Sequence, residues 1–112
     1  MEELAIEGIH HVGLYCRDIQ KSAKWYREIL GAQVVEEDPF HIDLRLGAQE
    51  LVLFEAAADS LVAGGLHHIG LKVAPERRAS FERTLELFSI QLHTFGDRRG
   101  FQDPDGHWLH FA

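Results

Sequence analysis

The chain has 112 residues, 46% apolar and 26% charged, which suits one ordinary soluble domain and excludes collagen-like and low-complexity architectures. Eleven Lys and Arg against eighteen Asp and Glu give a net charge of −7, which argues against nucleic-acid and anionic-membrane partners, and the single cysteine, Cys16, points to a reducing cytoplasm. No apolar run reaches the roughly 18 residues of a membrane span, and the acidic start Met1-Glu2-Glu3 has no signal-peptide character.

In chain order, the first signal is a segment that returns near mid-chain. Gly8-Ile9-His10-His11-Val12-Gly13-Leu14 recurs as Gly65-Leu66-His67-His68-Ile69-Gly70-Leu71, with five of seven positions identical and the others exchanging one aliphatic residue for another. Rare His-His pairs in both copies make chance a poor explanation, so the chain reads as one unit used twice. The first unit opens with a strand over about Ile9–Cys16. Asp18 is a good helix N-cap, Ile19, Ala23, Tyr26 and Leu30 share one helical face, and Gly31 sits where a helix C-terminus favours glycine. Three short strands are expected at about Ala32–Glu36, His41–Leu46 and Glu50–Glu55, with a turn at Gly47. The Ala- and Gly-rich stretch Ala56–Gly65 is the linker. The second unit repeats the string: a strand at about Leu66–Val73, then a helix with Pro75 in its first turn and Phe81, Leu85 and Phe88 on one face. Strands at about Gln91–Phe95, Gly100–Asp103 and His107–Phe111 follow, and Asp103-Pro104-Asp105-Gly106 has tight-turn chemistry. The result is βαβββ twice within one domain, 1–112, module 1 over about 8–56 and module 2 over about 65–112.

Strand alternation sorts the eight histidines. In the first strand His10, Val12, Leu14 and Cys16 form the apolar face that packs on the helix, which puts His11, Gly13 and Tyr15 on the other. The second copy sets His67, Ile69 and Leu71 inward and His68, Gly70 and Lys72 outward. In the last strand Leu109 and Phe111 face the core, while Trp108 and His110 point away. His11, His68 and His110 therefore lie on helix-free faces. If the two copies curl together, three neutral imidazoles converge in one cavity, a ligand set for a divalent transition metal. His10 and His67 are expected to cap the helix-side core, His41 to line the cavity mouth, and His93 and His107 to lie on the surface.

These residues resemble the vicinal oxygen chelate superfamily, which includes glyoxalase I, extradiol dioxygenases and bleomycin-resistance proteins. The resemblance rests on His11-Val12-Gly13-Leu14-Tyr15-Cys16-Arg17-Asp18, Trp25-Tyr26-Arg27-Glu28-Ile29-Leu30-Gly31, His68-Ile69-Gly70-Leu71 and Phe101-Gln102-Asp103-Pro104-Asp105-Gly106-His107-Trp108-Leu109-His110. It implies an α+β fold in which two βαβββ modules form a cupped eight-stranded mixed sheet. It also implies a homodimer, sometimes with each cavity completed by the partner, and metal ligands at His11 and His68. The family usually adds a glutamate on the last strand; this chain has His110 there. A fourth ligand from the fourth strand would fall on Val52, with Glu50 of the same parity as an outside candidate.

Three functions are compatible with that pattern. The leading one is an enzyme using a divalent metal (Zn, Fe, Ni, Mn or Co) held by His11, His68 and His110. It would act on a small oxygen-rich substrate by Lewis-acid chemistry of lyase or isomerase type, with neighbouring substrate oxygens chelated and an anion stabilised. Three neutral ligands would leave the full charge on the ion, favouring anionic substrates. The second is an iron-dependent ring-cleaving dioxygenase, and the third a metal-free, bleomycin-resistance-like binding protein. Tyr15 and His41 are candidate proton donors or acceptors. Arg45 and Lys72 are candidate anion contacts, and Trp108 is a third candidate substrate contact; Asp43 shares their face. The same polar residues also fit a solvated strand face.

Overall fold

The computed structural model describes residues 5–56 and 66–112. The acidic start, the expected linker beyond Ala56 and the repeat residue Gly65 lie outside them. The first module comprises β1 (His11–Cys16), α1 (Ile19–Leu30), β2 (Gln33–Glu37), β3 (His41–Leu46) and β4 (Gln49–Glu55). The second comprises β5 (Ile69–Gly70), a short 3-10 turn at Pro75–Arg77, α2 (Arg78–Leu87), β6 (His93–Phe95), β7 (Arg98–Gln102) and β8 (Trp108–Phe111).

The fold is α+β and each module is βαβββ. The eight strands are divided into two four-stranded mixed sheets of the same order, β1-β4-β3-β2 and β5-β8-β7-β6. In each, the first strand runs parallel to the last and the others pair antiparallel. The first strands, β1 and β5, are therefore edges.

Helix α1 forms where its end signals place it. Asp18 accepts the N–H of Lys21 at 3.1 Å, and Gly31, at φ 71°, donates to Arg27 O. Ile19, Ala23 and Tyr26 are buried on the face expected. Helix α2 follows its pattern only in part. Leu85 is fully buried and Phe81 packs on Phe101 and Phe111, but Phe88 is exposed. The helix ends at Leu87, and Ser89, at φ 57°, turns the chain before the next helical repeat can point inward.

The second module's first strand is much shorter than its repeat counterpart. Only Ile69 and Gly70 pair, with Leu109 and His110, whereas β1 pairs with β4 over six residues. The difference follows from the partner: β8 offers four residues where β4 offers seven.

Helix α1 lies between the two sheets. On one side α1 packs against β3 and β4. On the other, Trp25 lies 6.1 Å from the Phe101 ring and Tyr26 donates to Asp103 at 2.7 Å, so the same helix reaches the second sheet. Leu14, Cys16, Leu44, Phe101 and Phe111 belong to one continuous core. Since both sheets turn their core faces toward this layer, their histidine faces point outward, away from each other.

Candidate functional site

The first sheet's outer face is laid out in register. His11 on β1 sits opposite Glu50 on β4, and Glu50 opposite Arg45 on β3. The next row is Gly13, Val52 and Asp43, and the third Tyr15, Phe54 and His41. The Arg45 guanidinium lies 3.6 Å from Glu50. Tyr15 is exposed, and His41 lies between Asp38 and Asp43. Of the β4 residues, Glu50 rather than Val52 stands beside His11.

On the second sheet's outer face stands His110 of β8, with His68, the residue before β5, beside it. Their rings stack at 4.0 Å with planes 9° apart, and Phe95 covers the opposite side of His110 at 4.8 Å. Although it faces outward, His110 is thus only 5% exposed. Burial, with His68, His67 and Arg98 nearby, pushes its pKa below the ordinary histidine value. A neutral imidazole keeps a lone pair for a metal. Gly100 makes the stack possible: a Cβ there would come within 2.8 Å of both His110 and Phe95. Trp108 stands edge-on to Phe95 and His93, so an aromatic wall continues from the histidines.

The His-His pairs behave alike in both modules. His10 Nδ1 lies 3.0 Å from His11 Nδ1, and His67 Nδ1 lies 2.8 Å from His68 Nδ1. Each pair ties up Nδ1 of the outward histidine and leaves its Nε2 open. His10 and His67 do not cap the core as expected; both are exposed. They precede the paired residues of their strands, so alternation does not govern them. His107 and His93 are not simple surface residues either. His107 contacts the buried Asp103 at 2.8 Å, and His93 packs on Trp108.

Lys72 and Arg98, with Gly70, line an open cavity of about 370 Å³ on the second module. Arg98 belongs to β7, which begins two residues ahead of the strand expected from Gly100. Its alternation with Gly100 was the signal that could have placed it on this face. Cys16 is buried and its thiol is pushed up to about 12 by burial, which removes it as a nucleophile.

Among the described residues, no three His, Cys, Asp or Glu side chains gather closely enough to hold a metal within one chain. His68 and His110 are together. His11, on the other sheet, has His10 as its ring neighbour. The described helices include none long and apolar enough to cross a membrane.

A sequence model of the Glyoxalase/Bleomycin resistance protein/Dioxygenase superfamily matches residues 8–79. No curated protein matches the chain. Among solved structures, the fosfomycin resistance protein FosX from Listeria monocytogenes superposes with a TM-score of 0.82 at 17% identity, covering 96% of this chain and 91% of that one. A further crystal structure of that protein is a complex with Mn(II) and sulfate ion. Lactoylglutathione lyase from Agrobacterium tumefaciens gives 0.75 at 20% identity over 96% and 94% of the two chains. An integron cassette protein from the Halifax Harbour sewage outfall metagenome gives 0.77 at 23% over 95% and 97%. These likenesses show the fold.

Proposed function

The chain belongs to the glyoxalase/bleomycin resistance protein/dioxygenase superfamily, and from that premise we propose that it is a divalent-metal-dependent enzyme acting on a small oxygen-rich substrate. In this reading it works as a homodimer whose sites combine His11 of one chain with His68 and His110 of the other. The observation that carries the reading is the stacked pair of His68, the residue before β5, and the buried His110 of β8, at positions that match ligand positions of the resemblance.

The donor set fits a metal. Two imidazoles, His68 and His110, stand together, and a third, His11, has a carboxylate, Glu50, directly across the ladder. Sharing between chains is supported by the outward-facing histidine surfaces, and by β1 and β5 being edges. The exposed Ile9 and Leu66, at equivalent repeat positions before those edges, give a second chain apolar surface to cover.

A divalent ion would supply Lewis acidity to two neighbouring substrate oxygens. The chain's own residues do the rest. Lys72 and Arg98 hold an anionic group at the cavity they line, and Phe95 and Trp108 wall an apolar portion. His10 and His67 fix the ring orientation of their neighbours through the Nδ1 contacts.

The test is metal content by mass spectrometry on untagged protein, beside His110→Ala. The reading expects about one ion per chain, lost in the variant. Its identity separates Lewis-acid from iron-oxygen chemistry. No metal in either protein after reconstitution overturns the enzyme reading and leaves small-molecule binding by the aromatic wall.

A further inference from the structure

The internal repeat lets the core faces of the two sheets be compared position by position. Leu44 of β3 pairs with Leu51, and Phe101 of β7 pairs with Leu109. Two residues earlier, Ile42 pairs with Leu53 and Arg99 with Phe111. All of these except Arg99 are buried core residues. Where the first module has an apolar residue, the second therefore has a guanidinium. The helices differ in the same layer. Helix α1 buries Ile19, Ser22, Ala23, Tyr26 and Ile29, whereas α2 buries Leu85 alone.

An open cavity of about 310 Å³ takes the place of that packing. It is lined by Glu82 and Glu86 of α2, by Arg99 of β7, and by Ile90 and Leu92 from the connection to β6. Arg99 alternates with Gly100, the ladder partner of His110, so the cavity lies on the opposite side of the sheet from the histidines.

Charge around the cavity is divided between its ends. Glu82 Oε1 lies 3.4 Å from both Arg78 Nε and Arg99 Nη1, so two guanidiniums share one carboxylate oxygen. That end keeps a surplus of positive charge. Glu86, one helical turn on, is exposed, and its side chain has no ion pair or hydrogen bond among the described residues. That end keeps a surplus of negative charge.

Arg99 is also under-bonded. Its Nε is buried without an acceptor, and Nη1 meets Glu82 only at the long end of hydrogen-bond range. A charge pair in place of apolar packing, with a donor left unsatisfied, adds little to stability. Local departures of this kind belong to functional sites. The shielded Nε cannot meet a ligand. Nη2, which has no partner among the described residues and is not shielded, can.

We propose that this cavity binds a free α-amino acid with an apolar side chain. Arg99 Nη2 donates to its carboxylate, Glu86 accepts from its ammonium, and Ile90 and Leu92 cover its side chain. Residues four apart on a helix stand about 5–6 Å apart at Cβ. Glu86 is therefore close enough to the Glu82–Arg99 contact for one small molecule to meet both ends. A carboxylic acid alone would leave Glu86 unanswered and set a like charge beside it. An amine alone would face two guanidiniums. The site uses none of the histidines and is measured without metal.

The test is nitrogen-15 NMR of the metal-free full chain titrated with L-leucine. Saturable shifts are expected at the amides of Ile90, Leu92 and Arg99, with Gly70 and Lys72 of the other cavity unmoved. 4-Methylpentanoate lacks the ammonium and 3-methylbutylamine lacks the carboxylate. Each should bind about tenfold more weakly or worse, having given up a hydrogen bond to a charged group. Glu86→Gln alters an exposed side chain and should lower leucine affinity about tenfold with the fold unchanged. Arg99→Ile supplies the residue type of the first module. It should keep or raise the urea midpoint and abolish leucine binding. No shift at millimolar leucine overturns the proposal, as do shifts centred on Gly70 and Lys72. Equal binding of 4-methylpentanoate, or full leucine affinity in Glu86→Gln, does the same. Should Arg99→Ile fail to fold, the ligand series and the Glu86 variant decide.

Discussion

His110 shows how a single ring can be buried on an outward face. His68 and Phe95 cover its two sides, and Gly100, directly across the ladder, contributes no side chain to push it away. Here the glycine is required by space, with no appeal to an unusual φ. Gly100→Ala should displace either His110 or Phe95, because the new Cβ would meet both at 2.8 Å. Overpacking of this kind costs about 1–3 kcal/mol, measurable as a lower urea midpoint with an unchanged slope. On the metal reading the same variant also loses bound ion, whereas a change at an unrelated surface glycine would leave metal content alone. At this scale the sequence was informative wherever a residue sits inside a ladder. Parity put His11, Tyr15 and His41 on the outward face, and that is where the register has them. Parity failed for His10 and His67. These two lie outside the paired residues, and a contact between adjacent imidazoles sets their direction instead.

Helices and strands were legible because each is marked by local chemistry: Asp18 and Gly31 at the ends of α1, alternation along β3, and the turn glycine between β3 and β4. Contacts between elements distant in sequence were not marked. The Asp103–His107 turn was readable as a turn, but not as the clamp that joins it to α1. Asp103 Oδ1 accepts the N–H groups of Asp105 and His107, and its Oδ2 accepts the Tyr26 hydroxyl at 2.7 Å and contacts His107 Nδ1. Asp105 in turn accepts from Ser22 and from the backbone of Arg17. The hydrogen bond to Asp103 raises the His107 pKa above 6.5. A histidine with a raised folded pKa stabilises the fold fully below its unfolded value, and that contribution is lost as pH rises through the folded value. The wild type should therefore exceed His107→Gln in stability most clearly below pH 6.5, with the difference shrinking on the alkaline side of neutrality. Burial also raises the pKa values of Cys16 and Tyr26, which makes the fold less stable at higher pH in both proteins. The wild-type-minus-variant difference in urea unfolding cancels that slope and isolates the histidine. A difference independent of pH would show that His107 contributes through packing alone.

At the scale of the whole molecule, the helix layer decides where a site can form. With α1 touching both sheets, the two histidine faces turn outward, and the chain's radius of gyration of 15.1 Å exceeds the roughly 13 Å of a compact domain this long. The internal repeat revealed that two modules exist. It could not reveal which face of one meets which face of another, because the same hydrophobic periodicity satisfies either arrangement. A site shared between chains makes a prediction that a site within one chain cannot. His11→Ala and His110→Ala each remove a ligand from both sites of a homodimer. In a mixed dimer of the two variants, one site carries both lesions. The other combines His11 of the His110→Ala chain with His68 and His110 of the His11→Ala chain, and is intact. Unfolding and refolding the two variants together at equal concentration should therefore restore metal to about a quarter of the sites, from random pairing of equivalent subunits. Each variant refolded alone should bind little. Metal analysis after size-exclusion chromatography reads the outcome directly. Recovery in the mixture requires ligands from two chains, and no recovery from variants that each still dimerise would confine the site to one chain.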